Sequence, residues 1–417
     1  MTNLKACNKL IYETLSREHQ TFINELSKIY SFTFQELKIL MEQAIDLKSW
    51  NEIDIKDLWN SFEEKFSKLD KKNGKKKILS LINKTYFEIK NSPINYKKNI
   101  PQKIITPTIK HNYISNTSTI FGFCPVSSKE TLCCNLRTLD AVHGCEFACN
   151  YCALKSTYTE NQVTFHENLD YLLDNIKLNQ NKKYHVGTGQ SSDALSWGNK
   201  DDLLFKLFCF ARKNKNIFLE LKTKSNNISY LFERKIPENV FPSFSLNPQI
   251  IIENEELLTA SLDQRLIAAK ELAQKGIKVA FHFHPIIIYE GWKKDYGDLV
   301  KTLISDFSPS DILFISLGTL HFPKPVLKKI RFSSSNSKIY KIPFTQNPEK
   351  KYTYPYDKKM EMFSFVYEAF KPWHSKVFFY LCMEIREFWN DLFGYSFKNN
   401  EEFEEKLLEE ISKKIYK

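Results

Sequence analysis

Long apolar runs are missing from this 417-residue chain. None approaches the ~18–20 consecutive residues that a membrane-spanning helix needs. The opening MTNLKACNKLIYE lacks the apolar block and the small-residue cleavage site of a signal peptide. The expectation is a soluble, cytoplasmic protein. Internal repeats are absent, and no proline occurs before Pro93. Arginine is scarce, with seven residues against 53 Lys, and glycine is limited to 11. With many Asn, Ile, Tyr and Phe, this pattern reads as compositional drift from an AT-rich genome. Arginine supplies the bidentate forks that recognise phosphate and guanine. Its scarcity tempers the nucleic-acid reading that the formal charge of +11 invites. The charge is also local. Residues 71–110 hold eleven Lys and a single acidic residue, Glu88, and so contribute +10.

What is present is a globular composition, 42% hydrophobic and 26% charged, with material for two or three domains. Residues 1–92 read as a helical domain: Leu58, Phe62, Phe66 and Leu69 recur at helical spacing, and Thr33 with Glu36 can form a capping box. The segment DKKNGKKK (70–77) reads either as a solvated loop between helices or as a polyanion contact. Residues 93–115, with Pro93, Pro101 and Pro107, form a linker.

Beyond the linker the pattern alternates. Strand-like runs are RTLDAV (137–142), YHVGTG (184–189), IFLELKT (217–223), VFPSFSL (240–246), KVAFHFHPIII (278–288) and ILFISLGTL (312–320). Amphipathic segments at 201–214 and 261–276 fall between them, and Thr164 with Glu167 is expected to open another helix. This predicts an α/β fold whose core, residues 116–325, is a partial (β/α)6 TIM-like barrel, with active-site loops at the C-terminal strand ends. Residues 326–417 form a C-terminal α/β extension with a helix near 357–371 and an apolar strand, KVFFYLCME (376–384).

Nine cysteines in a chain without a secretion signal do not form a disulfide framework. Six of them, Cys124, Cys133, Cys134, Cys145, Cys149 and Cys152, lie within 29 residues. HGCEFACNYCAL (143–154) contains Cys145-x3-Cys149-x2-Cys152 directly after the first predicted barrel strand. Three thiolates on one short loop can ligate three irons of a [4Fe–4S] cube and leave the fourth iron open. The alternative is a structural zinc site completed by His143 or an upstream Cys, which would make the chain a zinc-stabilised nucleic-acid-binding module without redox chemistry. Cys124, Cys133 and Cys134 read as ordinary thiols or as ligands of a second metal centre, and Cys382 as a packed residue or a hydrogen donor.

The motif resembles that of the radical S-adenosylmethionine (SAM) superfamily, and the chain is similar in particular to the spore photoproduct lyase family over roughly residues 115–395. The stretches LELKTKS (219–225), FSLNP (244–248), TASLDQRLIAA (259–269), FHFHPIIIYEGW (281–292), ISLGTLHFPKP (315–325) and YLCMEIREFWNDLFG (380–394) carry the resemblance. It implies a [4Fe–4S] cluster held by Cys145, Cys149 and Cys152, with SAM contacted by Tyr151, Gln190, Ser191, Lys224, Ser245 and Asn247. It further implies reductive cleavage of SAM to a 5′-deoxyadenosyl radical, a reductant such as flavodoxin or ferredoxin, and a nucleic-acid substrate of the DNA-repair type. Three positions depart from the family. Gln190 stands where a hydrogen-donating Cys is expected, Ala153 where a Tyr follows the last cluster Cys, and His321 where an Arg is expected. Asp193 reads as a ligand contact or as a turn brace. His282 and His284, two apart on one strand, face the same way, either into the barrel or into packing.

Overall fold

A computed structural model describes residues 9–97, 108–124, 130–153, 161–333 and 336–416. The middle of the predicted linker, 98–107, lies outside the described residues. The chain divides into two compact units: residues 1–101 with 322–345, and residues 102–321 with 346–417.

The first unit is helical, with helices Lys9–Thr14, Arg17–Ile29, Phe34–Ser49, Ile55–Lys65 and Lys71–Asn91, joined by Lys324–Ser333 from much later in the chain. Thr33 and Glu36 form the expected capping box. The helices converge on a core that includes Trp50, Trp59, Ile82 and Tyr86. Two expectations change here. DKKNGKKK is not a loop, because Asp70 accepts from the amides of Lys72 and Asn73 and so starts the Lys71–Asn91 helix at that point. The predicted 326–417 extension is divided, its beginning grouping with the helical unit. Phe332 joins that unit's core, and the Arg331 guanidinium donates to Asp46 and Glu42.

The second unit is built on an eight-stranded sheet curled into a half-barrel. Its strands are β1 (Phe121–Phe123), β2 (Arg137–Leu139), β3 (Tyr184–Thr188), β4 (Ile217–Thr223), β5 (Val240–Ser245), β6 (Val279–Phe283), β7 (Ile312–Leu317) and β8 (Phe378–Leu381). Their order in space is their order in sequence. All neighbours are parallel except β1 and β2. The six predicted strands are β2 to β7. The KVFFYLCME run supplies β8, which pairs Phe314 with Phe378 and extends the parallel sheet beyond the six units read from sequence. Every residue of β3, β6 and β7 is buried, as expected where both faces of a parallel sheet are covered. The Leu262–Gln274 helix carries a Ser261–Gln264 capping box. The Thr164–Glu167 box does not form. Thr164 lies in a strand, Gln162–His166, paired in parallel with Lys110–Ile114, and the helix starts later, at Leu169.

Asp46 is buried between Arg331 and the Tyr86 hydroxyl, which donates to its Oδ2 at 2.7 Å. Arg331→Met therefore leaves a buried carboxylate short of its cation and should destabilise the helical unit by about 2–4 kcal/mol. Hydrogen exchange over residues 34–49 and 71–91 should accelerate accordingly. Unchanged protection would show that the Phe322–Thr345 segment is not held by this pair.

Candidate active site

The loop after β2 carries Cys145, Cys149 and Cys152, and two backbone features fix its path. Gly144 has φ +91°, and its amide donates to the Ser191 carbonyl at 3.0 Å; a Cβ there would meet the Gln162 oxygen at 2.4 Å. Ala148–Cys149 pairs antiparallel with Glu256–Leu257. Asn150 adds three bonds to the same neighbours, its amide to the Glu255 carbonyl at 2.8 Å and its side chain to Glu255 Oε2 and the Asn254 carbonyl at 3.0 and 3.1 Å.

Beneath the loop lies an ion pair removed from water. Arg265 Nη2 is 2.7 Å from Glu256 Oε2, and both side chains are 0% exposed. Arg265 also donates from Nε to the Ala260 carbonyl at 2.9 Å, from Nη1 to the Ser245 carbonyl at 2.8 Å, and from Nη2 to Thr259 Oγ1 at 2.6 Å. Glu256 Oε1 accepts from the Tyr151 hydroxyl and, at 2.8 Å, from Asn247 Nδ2. Burial alone would raise the Glu256 pKa, but Arg265 and Lys224 hold it below the ordinary carboxylate value. Tyr151 is thus anchored by its hydroxyl, and Lys224 Nζ sits 5.8 Å from its ring centroid.

The residues read from sequence as SAM contacts fall into two groups. Tyr151, Lys224 and Ser245 gather around the Glu256–Arg265 pair, and Ser245 pairs in register with His282 at the C-terminal end of β5. Gln190 and Ser191 lie on the turn after β3, beside Gly189, where a Cβ would meet the Lys222 carbonyl at 2.6 Å. The Ser191 hydroxyl donates to the Val142 carbonyl at 2.6 Å, tying that turn to the chain entering the cysteine loop. Asn247 is completely buried, with its amide nitrogen on Glu256 and its oxygen accepting from the Tyr296 hydroxyl at 2.6 Å. Asp193 accepts from Thr223 Oγ1 and from the amides of Leu195, Ser196 and Lys224 at 2.7–3.0 Å, which is the turn brace rather than the ligand contact.

Three thiols on one short loop are the donor set an iron–sulfur cluster takes. Cys149 is buried and the other two are half-buried. Burial, Asp193 and the neighbouring Cys149 and Cys152 together push the Cys145 thiol pKa upward. Among the described residues, no group of three or more His, Cys, Asp or Glu is arranged to hold a single metal ion.

Sequence reasoning put His282 and His284 on one face, into the barrel or into packing, but missed the Glu220, His185 and Lys222 they join. Glu220, in the middle of β4, is fully buried and accepts from two histidines: His185 Nε2 at 2.8 Å and His282 Nε2 at 2.5 Å. His282 is on β6, two strands from Glu220, and the two side chains meet across the concave face of the sheet. Lys222 Nζ lies 3.6 Å from Glu220. Despite burial, Lys222 and the histidines hold the Glu220 pKa far below the ordinary value, while burial lowers that of His282. His284 bonds Ser316 Oγ at 2.7 Å, and burial, His282 and the lysines lower its pKa strongly. Cys133, Cys134 and Cys382 converge on the same region. The hydrogen bond with Cys133, followed by burial, raises the Cys134 thiol pKa, and Cys382 interacts with Cys133 and Lys222. The only sequence signal for Glu220 was a Glu and a Lys two apart inside an otherwise apolar strand. His321, which replaces the expected Arg, is held by Glu384 at 3.1 Å, and Lys359 Nζ approaches both at 3.4 and 2.6 Å.

A family model described as spore photoproduct lyase matches residues 136–377. Spore photoproduct lyase of Clostridium acetobutylicum is 26% identical over 238 residues, covering 54% of this chain and 70% of that protein. The Bacillus subtilis protein of the same name is 26% identical over 204 residues, covering 47% of this chain and 59% of that one. A solved spore photoproduct lyase complexed with dinucleoside spore photoproduct superimposes with a TM-score of 0.56 at 21% identity, over 64% of this chain and 82% of the other. A variant of spore photoproduct lyase with bound AdoMet and the same dinucleoside gives a TM-score of 0.55, also at 21% identity, over 65% and 82% of the two chains.

The lumen titrations set a pH dependence. The folded state keeps His282 and His284 neutral below the pH at which the unfolded chain protonates them, so unfolding takes up protons as pH falls below the usual histidine pKa. Stability should drop between about pH 7 and 5, by up to ~1.4 kcal/mol per pH unit for each histidine. Glu220 acts in the same direction at lower pH, its stabilisation being lost as pH falls through its depressed pKa. The urea midpoint should fall over that range, and a His282→Gln/His284→Gln protein should show a shallower pH slope. An equal slope in both proteins would contradict this electrostatic assignment.

Proposed function

Since the chain belongs to the spore photoproduct lyase family of radical SAM proteins, we propose that it is an iron–sulfur enzyme that cleaves SAM reductively and acts on nucleic acid. The observation that carries this reading is the Cys145–Cys149–Cys152 loop at the C-terminal end of a parallel barrel strand, buttressed by a buried ion pair. When bound, a [4Fe–4S] cluster on those thiolates would supply the electron that breaks the SAM sulfonium to methionine and a 5′-deoxyadenosyl radical. The protein's own part is to bind, orient and exclude water. Lys224 offers the SAM carboxylate a cation, and the Gln190 amide oxygen and Ser245 offer hydrogen bonds to the amino group. Tyr151, pinned by Glu256, holds an aromatic surface beside Lys224 where an adenine can pack. In the lumen, Glu220 is buried and accepts from both His185 and His282. An external one-electron carrier of the flavodoxin or ferredoxin kind would provide the reductant.

The substrate end departs from spore photoproduct lyase. Gln190 cannot return a hydrogen atom as a thiol does, and His321 is held within a buried carboxylate–lysine group. The reading is therefore a family member with the SAM machinery retained and the substrate step altered.

Anaerobically reconstituted protein should bind iron and sulfide and, once reduced, release 5′-deoxyadenosine from SAM. Cys149→Ala should abolish both. Reconstitution that yields zinc without SAM cleavage would favour the non-redox module instead. Lys224→Met should weaken SAM binding roughly tenfold or more while iron content stays intact, as expected for removal of one charge-assisted hydrogen bond; unaltered affinity would remove Lys224 from the SAM site.

A further inference from the structure

The +11 charge is not shared between the two units. The helical unit, residues 1–101 with 322–345, holds 24 Lys and Arg against 13 Asp and Glu, whereas the barrel unit holds 36 of each. Compositional drift toward lysine would load both units, yet only one is left without matching acids. Part of that cationic charge is taken up internally: Lys75 pairs with Glu36 at 2.8 Å, Lys341 with Glu52 at 3.0 Å, and Arg331 with Asp46. Lys65, Lys68, Lys71, Lys72, Lys76 and Lys77 are different. All six are exposed, and none makes an ion pair among the described residues. Four of them occupy the first two turns of the Lys71–Asn91 helix, whose first turn has no acidic residue. Cations at a helix N-terminus oppose its dipole, so fold stability does not account for them. Asp70, directly before Lys71, is engaged by the amides of Lys72 and Asn73.

We propose that the helical unit docks on the phosphate backbone of duplex DNA through the lysines of residues 65–77. This rests on the nucleic-acid reading above and assigns the substrate-holding role to residues 65–77, which lie outside the family match. Lysine is a point-charge phosphate ligand that positions a duplex without reading bases, which suits a surface with few arginines. The barrel then selects the lesion or base, and the helical unit supplies sequence-independent affinity.

The test is fluorescence anisotropy of the full-length protein, without SAM, on a generic DNA duplex across a salt series. Lys71→Gln/Lys72→Gln/Lys76→Gln/Lys77→Gln should weaken binding at least about tenfold near ~0.1 M salt. It should also flatten the dependence of log affinity on log salt by up to ~3.6, at ~0.9 for each phosphate that is no longer neutralised. Arginine at the same four positions should restore binding. Glutamine at four exposed lysines of the barrel unit, Lys213, Lys275, Lys294 and Lys301, should leave it unchanged. Wild-type affinity and slope in the helical-unit variant would overturn the proposal, as would a preference of the wild-type protein for phosphatidylserine vesicles over DNA. Binding needs neither cluster nor turnover. A protein that binds as described but never cleaves SAM sinks the enzyme reading and leaves the docking site standing. One that cleaves SAM but binds DNA equally well without these lysines sinks the docking site alone.

Discussion

A single buried ion pair, Glu256–Arg265, holds the candidate active site in shape. Removing either partner would strand a charge in a water-free position, at a cost of about 3–5 kcal/mol. The surrounding bonds account for the pair's persistence, because Arg265 satisfies two carbonyls and a hydroxyl while Glu256 accepts from Tyr151 and Asn247. Each of those partners belongs to a different element. Tyr151 lies on the cysteine loop, Asn247 follows β5, and Arg265 sits in the Leu262–Gln274 helix. Asn247 passes the constraint on to Tyr296, whose hydroxyl also accepts from the Ile287 amide at 3.0 Å. The pair thus locks a loop, a strand end and two helices into one geometry, so that a three-thiol loop is shaped before any cofactor arrives.

The lumen extends the same logic. Parallel strands are buried on both faces, so a polar residue among them must find a partner inside the sheet. Glu220 finds His185, His282 and Lys222, an ionised carboxylate and ammonium beside a His282 that burial keeps neutral. The Glu384–Lys359–His321 group repeats the arrangement. The barrel unit carries no net formal charge, and the whole excess sits on the helical unit.

Much of this was legible in the residues. IFLELKT became β4 over the same seven positions, and VFPSFSL became β5 to within one residue. The strand periodicity and the cysteine spacing together located the loop. Other features were hidden for physical reasons. Thr164 and Glu167 have the spacing of a capping box, but Gln162–His166 pairs with a distant strand, and long-range pairing prevailed over the local signal. The Lys-rich 70–77 segment looked like a loop because like charges repel, yet the Asp70 cap starts a helix there. Phe322–Thr345 groups with the helical unit because its apolar face reaches a core built some 250 residues earlier, which no local pattern can report. Asn247 stands where the resemblance implies a SAM contact, and its amide proves to be occupied one layer below the loop. Motif matching does not separate a ligand contact from the residue that supports it.

The central claim is that the buried pair, and not the cofactor, preorganises the cysteine loop. Glu256→Gln tests it most directly, because it keeps the side-chain volume and removes the charge opposite Arg265. Hydrogen exchange of the cofactor-free protein over residues 144–153 reads the loop itself. The account predicts faster exchange there than in wild type, with protection of β4 to β7 retained and iron uptake on reconstitution reduced. Wild-type protection of the loop in the variant would contradict it.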